Sequence, residues 1–141
     1  MFIEIEELNT VVHAHTLGNI TADPVVIQSA ILFAISTATS YLNAKYDCAA
    51  IFNAVGDKRN PVVLEYCKSI AFWRLLCIGN ANTLYEKAKF AYEDAIDWLK
   101  QVAGVGISGK TIAPDLPLKM ENGNVLTKIR MGSKPKFNHD F

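Results

Sequence analysis

Apolar residues recur every three or four positions along most of residues 3–103, which is the spacing of one face of an α-helix. Asp23 and Asn60 each precede a proline, and Asn or Asp followed by Pro is a common helix start. Gly79 is a natural helix stop. The pattern predicts four helices, at about Ile3–His15, Asp23–Tyr46, Asn60–Gly79 and Thr83–Ala103.

The pattern changes after residue 103. Residues 104–117 contain three glycines and two prolines, which end any helix. Asn122-Gly123, flanked by two extended runs, predicts a β-hairpin at about 117–130, and the polar last ten residues have the pattern of an arm. We therefore expect a mainly α fold: a small bundle of three to four helices in residues 1–103, followed by an extended C-terminal hairpin and arm in residues 104–141.

The stretch GVGISGKT, Gly104–Thr111, fits the phosphate-loop pattern G-x-x-x-x-G-K-[ST]. A true phosphate loop follows a buried strand and opens a helix, so that backbone N–H groups surround phosphate oxygens. Here the preceding run AIDWLKQVA has helical spacing, and Pro114 and Pro117 prevent a long helix downstream. We therefore expect the glycines to end a helix rather than to bind a nucleotide.

The second predicted helix has no charge: the 21 residues from Pro24 to Ala44 include no Asp, Glu, Lys, Arg or His. About 20 apolar residues can cross a bilayer, but seven of these 21 are polar, which argues against a membrane span. The expected core side carries Val26, Ile27, Ala30, Phe33, Ala34, Tyr41 and Leu42. Most of the polar residues share the opposite face, namely Gln28, Ser29, Ser36, Thr39, Ser40 and Asn43.

Interface centres are depleted in charge, so we interpret this neutral face as a candidate subunit interface. The alternative is a solvent-exposed face that is merely rich in serine. On the third helix, Phe72 falls beside Glu65 and Lys68, where an exposed aromatic ring could serve a partner. Arg74 falls on the apolar side, where it would either meet a carboxylate or extend its stem to water.

The formal net charge is zero, but it is unevenly distributed. Residues 1–103 hold 8 basic and 11 acidic residues, whereas residues 104–141 hold 6 and 3. This separation suggests that the basic tail of one copy lies on the acidic body of another, and Lys134, Lys136, Phe137 and Phe141 are its candidate contacts. Three cysteines without a C-x-x-C pair fit a reduced cytosolic setting, and the acidic start lacks the design of a signal peptide.

Candidate catalytic and metal-binding groups are sparse. His13 and His15 are two positions apart and point in different directions on a helix, and His139 stands alone. The acidic group of Glu93, Asp94 and Asp97 is typical of a solvated helix face, and Tyr66, Trp73, Tyr85, Tyr92 and Trp98 are expected to be mostly core. We expect no enzyme activity and no cofactor.

Three segments, AILFAISTATSYLNAKYD, NPVVLEYCKSIAFWRLL and YEKAKFAYEDAIDWLKQVAGVG, resemble the head–tail connector (neck adaptor) proteins of tailed phages, most closely the Mu-like prophage branch. The resemblance covers about residues 24–104, and it departs from the pattern at Lys45, where arginine is usual, in a longer segment 104–131, and in a cysteine-bearing third helix. The matching positions are Tyr41, Leu42, Lys45, Tyr46, Pro61, Ile70, Ala71, Trp73, Tyr92 to Ile96, Trp98, Leu99 and Gly104.

The resemblance implies a virion structural protein that forms a ring between portal and tail. Its implied partners are other copies of itself, the portal and tail-completion proteins, and DNA only in transit through the channel. The protein would be made in the bacterial host cytoplasm and located in the virion. The alternative is a small dimeric helical regulatory or binding module.

Overall fold

The computed structural model describes residues 1–12, 14–79, 85–107, 109–121 and 124–125, and it is mainly helical, as predicted. Within these residues the chain forms five α-helices, two 3-10 helices and one short hairpin. The 3-10 helices span Ile5–Thr10 and Gly56–Lys58, and the strands are β1 (Met120–Glu121) and β2 (Asn124–Val125). The α-helices are α1 (Ala14–Ile20), α2 (Pro24–Leu42), α3 (Cys48–Phe52), α4 (Pro61–Gly79) and α5 (Tyr85–Ala103).

The first predicted helix is wrong, because its segment contains a 3-10 helix followed by the separate helix α1. The 3-10 helix begins with a capping box, in which the side chains of Glu4 and Glu7 bond each other's backbone N–H groups. Helix α3 was not predicted, since five residues are too few to show a period. Asp47 starts α3 by accepting a hydrogen bond from Ala50 N at 3.1 Å.

Helices α2, α4 and α5 pack against one another and enclose the core. Gly79, at the end of α4, lies so close to Ile20 that a Cβ atom at position 79 would be 2.9 Å from Ile20 Cγ2. The end of α4 therefore lies near the start of α2, and these two helices run in opposite directions. The largest fully buried side chains are Ile3, Leu8, Ile31, Leu42, Val63, Cys67, Ile70, Leu75, Leu99 and Val102.

A row of aromatic rings follows the seam between α4 and α5. Tyr66 pairs with Trp98 at a centroid distance of 5.1 Å, and Trp73 contacts Tyr85 and Tyr92 at 5.1 and 5.6 Å. Four of the rings predicted to be mostly core are half-buried and packed against the core, whereas the fifth, Tyr85, is exposed. Rings of this size cover the edge of a helix pair whose centre is filled by smaller aliphatic side chains.

An ion pair between Arg59 and Glu7 connects the N-terminal segment to the loop before α4. Arg59 Nη1 and Nη2 donate to Glu7 Oε2 and Oε1 at 2.8 and 2.7 Å, and Nη1 also donates to Phe2 O at 2.8 Å. The Arg59 guanidinium lowers the pKa of Glu7 from 4.5 to about 2, chiefly through this hydrogen bonding. No local pattern predicts this pair, because its members are 52 residues apart.

Residues 104–107 and 109–119 form a strap that returns from the end of α5 to the end of α2. Leu116 is buried, Pro117 O accepts from Asp47 N at 2.8 Å, and Lys119 N donates to Lys45 O at 3.0 Å. Beyond it, β1 and β2 pair antiparallel with Met120 opposite Val125. This pairing lies within the hairpin predicted at about 117–130, although its turn residues, Asn122 and Gly123, lie outside the described residues.

Candidate subunit interface

Helix α2 supplies most of the candidate interface, and its start is fixed by the sequence. Asp23 Oδ1 accepts a hydrogen bond from Val25 N at 2.9 Å, and Pro24 occupies the first helical position, as predicted. One side of α2 is in the core, through Ile27, Ala30, Ile31, Ala34, Ala38 and Leu42. Within the part of the chain that the structure describes, the opposite side is mostly exposed.

The predicted neutral face lies on that opposite side. Thr39 is half-buried, and the other predicted members are exposed, namely Gln28, Ser29, Ser36, Ser40 and Asn43. Thr39 Oγ1 donates to Ile35 O at 2.8 Å, and Ser40 Oγ donates to Thr37 O at 2.6 Å. Because these donors are already bonded within the helix, covering this part of the face with another protein leaves few donors unsatisfied.

The same face also presents three apolar side chains. The sequence pattern predicts Phe33 on the core side and makes no prediction for Val25 or Leu32. Val25 is 72% exposed, Leu32 52% and Phe33 44%. The placement of Phe33 on the core side is wrong, because Ala30 and Ala34 fill that side and leave Phe33 at the boundary. A helical spacing of three and four residues from Val25 through Ser29 to Leu32 was the available signal.

Arg74 extends this surface from α4. It is exposed, and its guanidinium carbon lies 4.8 Å from the centroid of the Phe33 ring. Of the two alternatives for Arg74, the structure supports the one in which the stem reaches the surface. Among the described residues, no carboxylate forms an ion pair with it, so its charge is compensated there only by the aromatic face.

The predicted exposure of Phe72 is wrong, because its side chain is only 4% exposed. The first 3-10 helix and α5 cover this side of α4, and Lys68 beside it is also buried. Lys68 Nζ donates to Thr10 Oγ1 at 3.1 Å and lies 3.5 Å from Glu65 Oε2. A cavity of about 330 Å³ remains here, lined by Asn9, Thr10, Val11, Val12, Ser69, Phe72, Lys87, Ala88 and Ala91.

The end of the strap lies beside the neutral face. Lys119 Nζ donates to Asn43 O at 3.3 Å, at the C-terminal end of α2. The four predicted contacts of the arm lie outside the described residues: Lys134, Lys136, Phe137 and Phe141. The described chain therefore ends its strap beside the C-terminal end of α2.

The GVGISGKT stretch lies at the wrong end of a helix for phosphate binding. It follows α5, where Gly104 N and Val105 N donate to Gln101 O and Lys100 O at 3.2 and 3.0 Å. The first two backbone donors of the stretch thus cap α5, whose C-terminus repels anions. Residues 105–107 and 109–119, which come after it, contain no helix and no paired strand. Leu118 makes only an isolated β-bridge with Tyr46.

The remaining chemistry-bearing groups of the described residues are dispersed. Burial raises the pKa of the Cys67 thiol to about 12, and burial also raises that of Cys48. No group of three His, Cys, Asp or Glu side chains comes together in the part of the chain that the structure describes. His13 and His139 lie outside that part.

Among the helices of the described residues, α2 is the one that is long enough and apolar enough to span a membrane. The core helix of a globular protein has the same two properties. Six of its residues contribute to the buried core, and polar residues interrupt its exposed face.

Comparison with known proteins agrees with the resemblance noted in the sequence at the level of the phage family. The model of the bacteriophage Mu Gp36 family matches residues 2–114, which is well over half of the chain. Comparisons with curated proteins and with solved structures gave no match. The chain therefore belongs to the bacteriophage Mu Gp36 family and is a Mu-like phage protein.

Proposed function

We propose that this protein is a head–tail connector subunit, a virion structural component that assembles as a ring between the portal and the tail. The observation that carries the proposal is the neutral, partly apolar outer face of α2. Surfaces that stay in water usually carry lysine and glutamate, whereas interface centres are depleted in charge. Family membership supplies the phage context in which such a face would be used.

A ring requires two different patches on each subunit, so that one copy can contact the next without closing as a dimer. The neutral face, with Gln28, Ser29, Ser36, Ser40 and Asn43, is the first patch. The hydroxyls of Thr39 and Ser40 already donate within the helix, which lowers the desolvation cost of covering that part of the face.

The C-terminal arm provides a further contact in this proposal. It is basic, with six basic against three acidic residues from 104 onward, whereas residues 1–103 carry a net charge of −3. Lys134 and Lys136 would bind carboxylates of a neighbour, and Phe137 and Phe141 would bury apolar area. Lys119, at the end of the strap, donates to Asn43 O, so the described part of the chain that leads toward the arm lies beside the neutral face.

The proposal includes the environment of the protein. Its partners are other copies of itself, the portal and tail-completion proteins, and DNA only in transit. It acts without enzymatic activity or cofactor and without contact with a membrane, and it is located in the virion after synthesis in the host cytoplasm.

Deletion of the gene in a phage that encodes this chain tests the function. We expect filled heads and complete tails that remain unjoined, with joining restored by a plasmid copy. Electron microscopy and an infectivity titre give the readout. A normal yield of joined particles in the deletion strain would contradict the proposal.

Native mass spectrometry of the purified protein, alone and with portal, separates the proposal from the regulatory alternative. A ring-sized assembly supports the connector. A fixed dimer at every concentration, unaffected by portal, supports the dimeric module instead.

A further inference from the structure

Against the rest of the described residues, helix α5 carries a second exposed face, on another side of the molecule. Its core side consists of Ala88, Ala95, Leu99 and Val102. The opposite side presents one aromatic ring within a line of carboxylates, and all four members are exposed: Glu86, Phe90, Glu93 and Asp97. Phe90 is 74% exposed, more than Phe33 on α2. We call these four residues the α5 line.

The α5 line is complementary in charge to the surface around Arg74. That surface, which we call the α2 patch, consists of Val25, Leu32, Phe33 and Arg74. It offers exposed apolar area and one cation without a carboxylate partner among the described residues. The α5 line offers three carboxylates around one exposed ring. A contact between the two surfaces would bury the Phe90 ring against the apolar side chains of the α2 patch. It would also pair the Arg74 guanidinium with a carboxylate of the α5 line.

The packing of the bundle determines the symmetry of such a contact. Since α2, α4 and α5 enclose one core, the outward sides of α2 and α5 point in different directions. One copy can therefore bind a second through its α2 patch while its own α5 line remains free for a third. A contact between two different patches propagates from copy to copy and closes into a ring when the rotation allows.

We infer that a second copy of this chain docks its α5 line on the α2 patch, in a head-to-tail contact. The inference rests on the proposed function, for which it names the surfaces that join neighbouring subunits. A two-fold contact between two α2 patches is the competing arrangement, and it would leave Arg74 without a carboxylate.

Two single substitutions in the full-length chain distinguish these arrangements. Leu32→Asp places a carboxylate in the α2 patch, and Phe90→Asp removes the ring of the α5 line. Both side chains are exposed, so circular dichroism and thermal unfolding should match those of the native protein. Val55→Asp is the matched control, because Val55 is exposed in the turn before the second 3-10 helix, on neither surface.

Analytical ultracentrifugation gives the result. We expect each variant alone to lose association by at least about tenfold in Kd, as for central interface residues. Mixed together they should form a heterodimer and nothing larger, because only the intact α5 line of Leu32→Asp and the intact α2 patch of Phe90→Asp can join. Val55→Asp should associate like the native chain.

Three outcomes would overturn the inference: a Phe90→Asp variant that assembles normally, a mixture that stays monomeric, or a native protein that does not self-associate at any concentration. A salt series adds an independent measure, since association through Arg74 and carboxylates weakens as ionic strength rises, whereas a purely apolar contact does not. If Phe90→Asp still forms rings and joins heads to tails, the inference fails while the proposed function stands. If deletion of the gene leaves particles intact, the proposed function itself fails.

Discussion

The guanidinium group of Arg59 binds the carboxylate of Glu7 at two points, with N–O distances of 2.7 and 2.8 Å. Arg59 also donates to the carbonyl oxygens of Phe2 and Gly56, at 2.8 and 3.1 Å. One side chain thus connects the N-terminal segment to the turn before α4. A planar guanidinium is required for this set of contacts, because an ammonium group has no fork to match a carboxylate.

Replacement of this side chain should destabilise the fold although a positive charge is kept. For Arg59→Lys we expect the free energy of unfolding to fall by about 1–2 kcal/mol, from the loss of a partly buried bidentate pair and two carbonyl contacts. Urea titration measures the loss. Lys58→Ala, at the exposed neighbouring position, is the control and should change stability by less than about 0.5 kcal/mol. Equal effects for the two variants would contradict the role given to Arg59.

The same pair predicts a pH dependence. The pKa of Glu7 is about 2 in the folded protein, below its ordinary 4.5, so the carboxylate contributes stability that is fully present above pH 4.5. Protonation removes this contribution as the pH falls from 4.5 towards 2. The native protein should therefore lose on the order of 2 kcal/mol more than Glu7→Gln across this window, after allowance for partial exposure. Parallel acid titration curves for the two proteins would disprove this.

Gly79 and Gly18 make a matched pair of helical glycines for a packing test. A Cβ atom at Gly79 would lie 2.9 Å from Ile20 Cγ2 and 3.2 Å from Ile20 O, whereas one at Gly18 would meet nothing within 4 Å. Gly79→Ala should lower the free energy of unfolding by about 1 kcal/mol, because Ile20 must move. Gly18→Ala should raise it by about 0.5–1 kcal/mol, because alanine is the better helix former. A stabilising Gly79→Ala would show that α1 does not pack closely on α4.

Removal of Gly132–Phe141 tests the arm. We expect the truncated chain to keep its helical circular dichroism and its Tm, because the described core lies within residues 1–116. Its association with copies of itself or with portal should weaken, since four predicted contacts are lost. Loss of soluble, helical protein would show that these residues belong to the fold.

Sequence patterns predicted the three long helices because each repeats its apolar spacing over 19 residues and has a clear start or stop. They failed where the structure depends on contacts between distant segments. Phe72 was predicted to be exposed from its own helix alone, but the N-terminal segment and α5 cover it. The Arg59–Glu7 pair and the strap contact of Lys119 with Lys45 have no local signature at all.

The candidate interface could be predicted from the sequence only where it depends on a local property of the chain. The absence of charge between Pro24 and Ala44 is a local property, and it correctly marked the exposed polar side of α2. The position of Phe33 depends on how α2 rotates against its neighbours, and this rotation is decided by the small residues Ala30 and Ala34 in the core. The ring of Phe33 then meets Arg74 from another helix.

The anchoring of the strap at Asn43 gives each subunit a direction along α2. The helix is about 27 Å long, and the chain after residue 119 leaves from the end opposite the contact between Ile20 and Gly79. In any ring built by rotation about one axis, every subunit would present Lys119, at the end of the strap, at the same level. These charges would form one positive band around the ring, which an assembling partner could use to recognise that level.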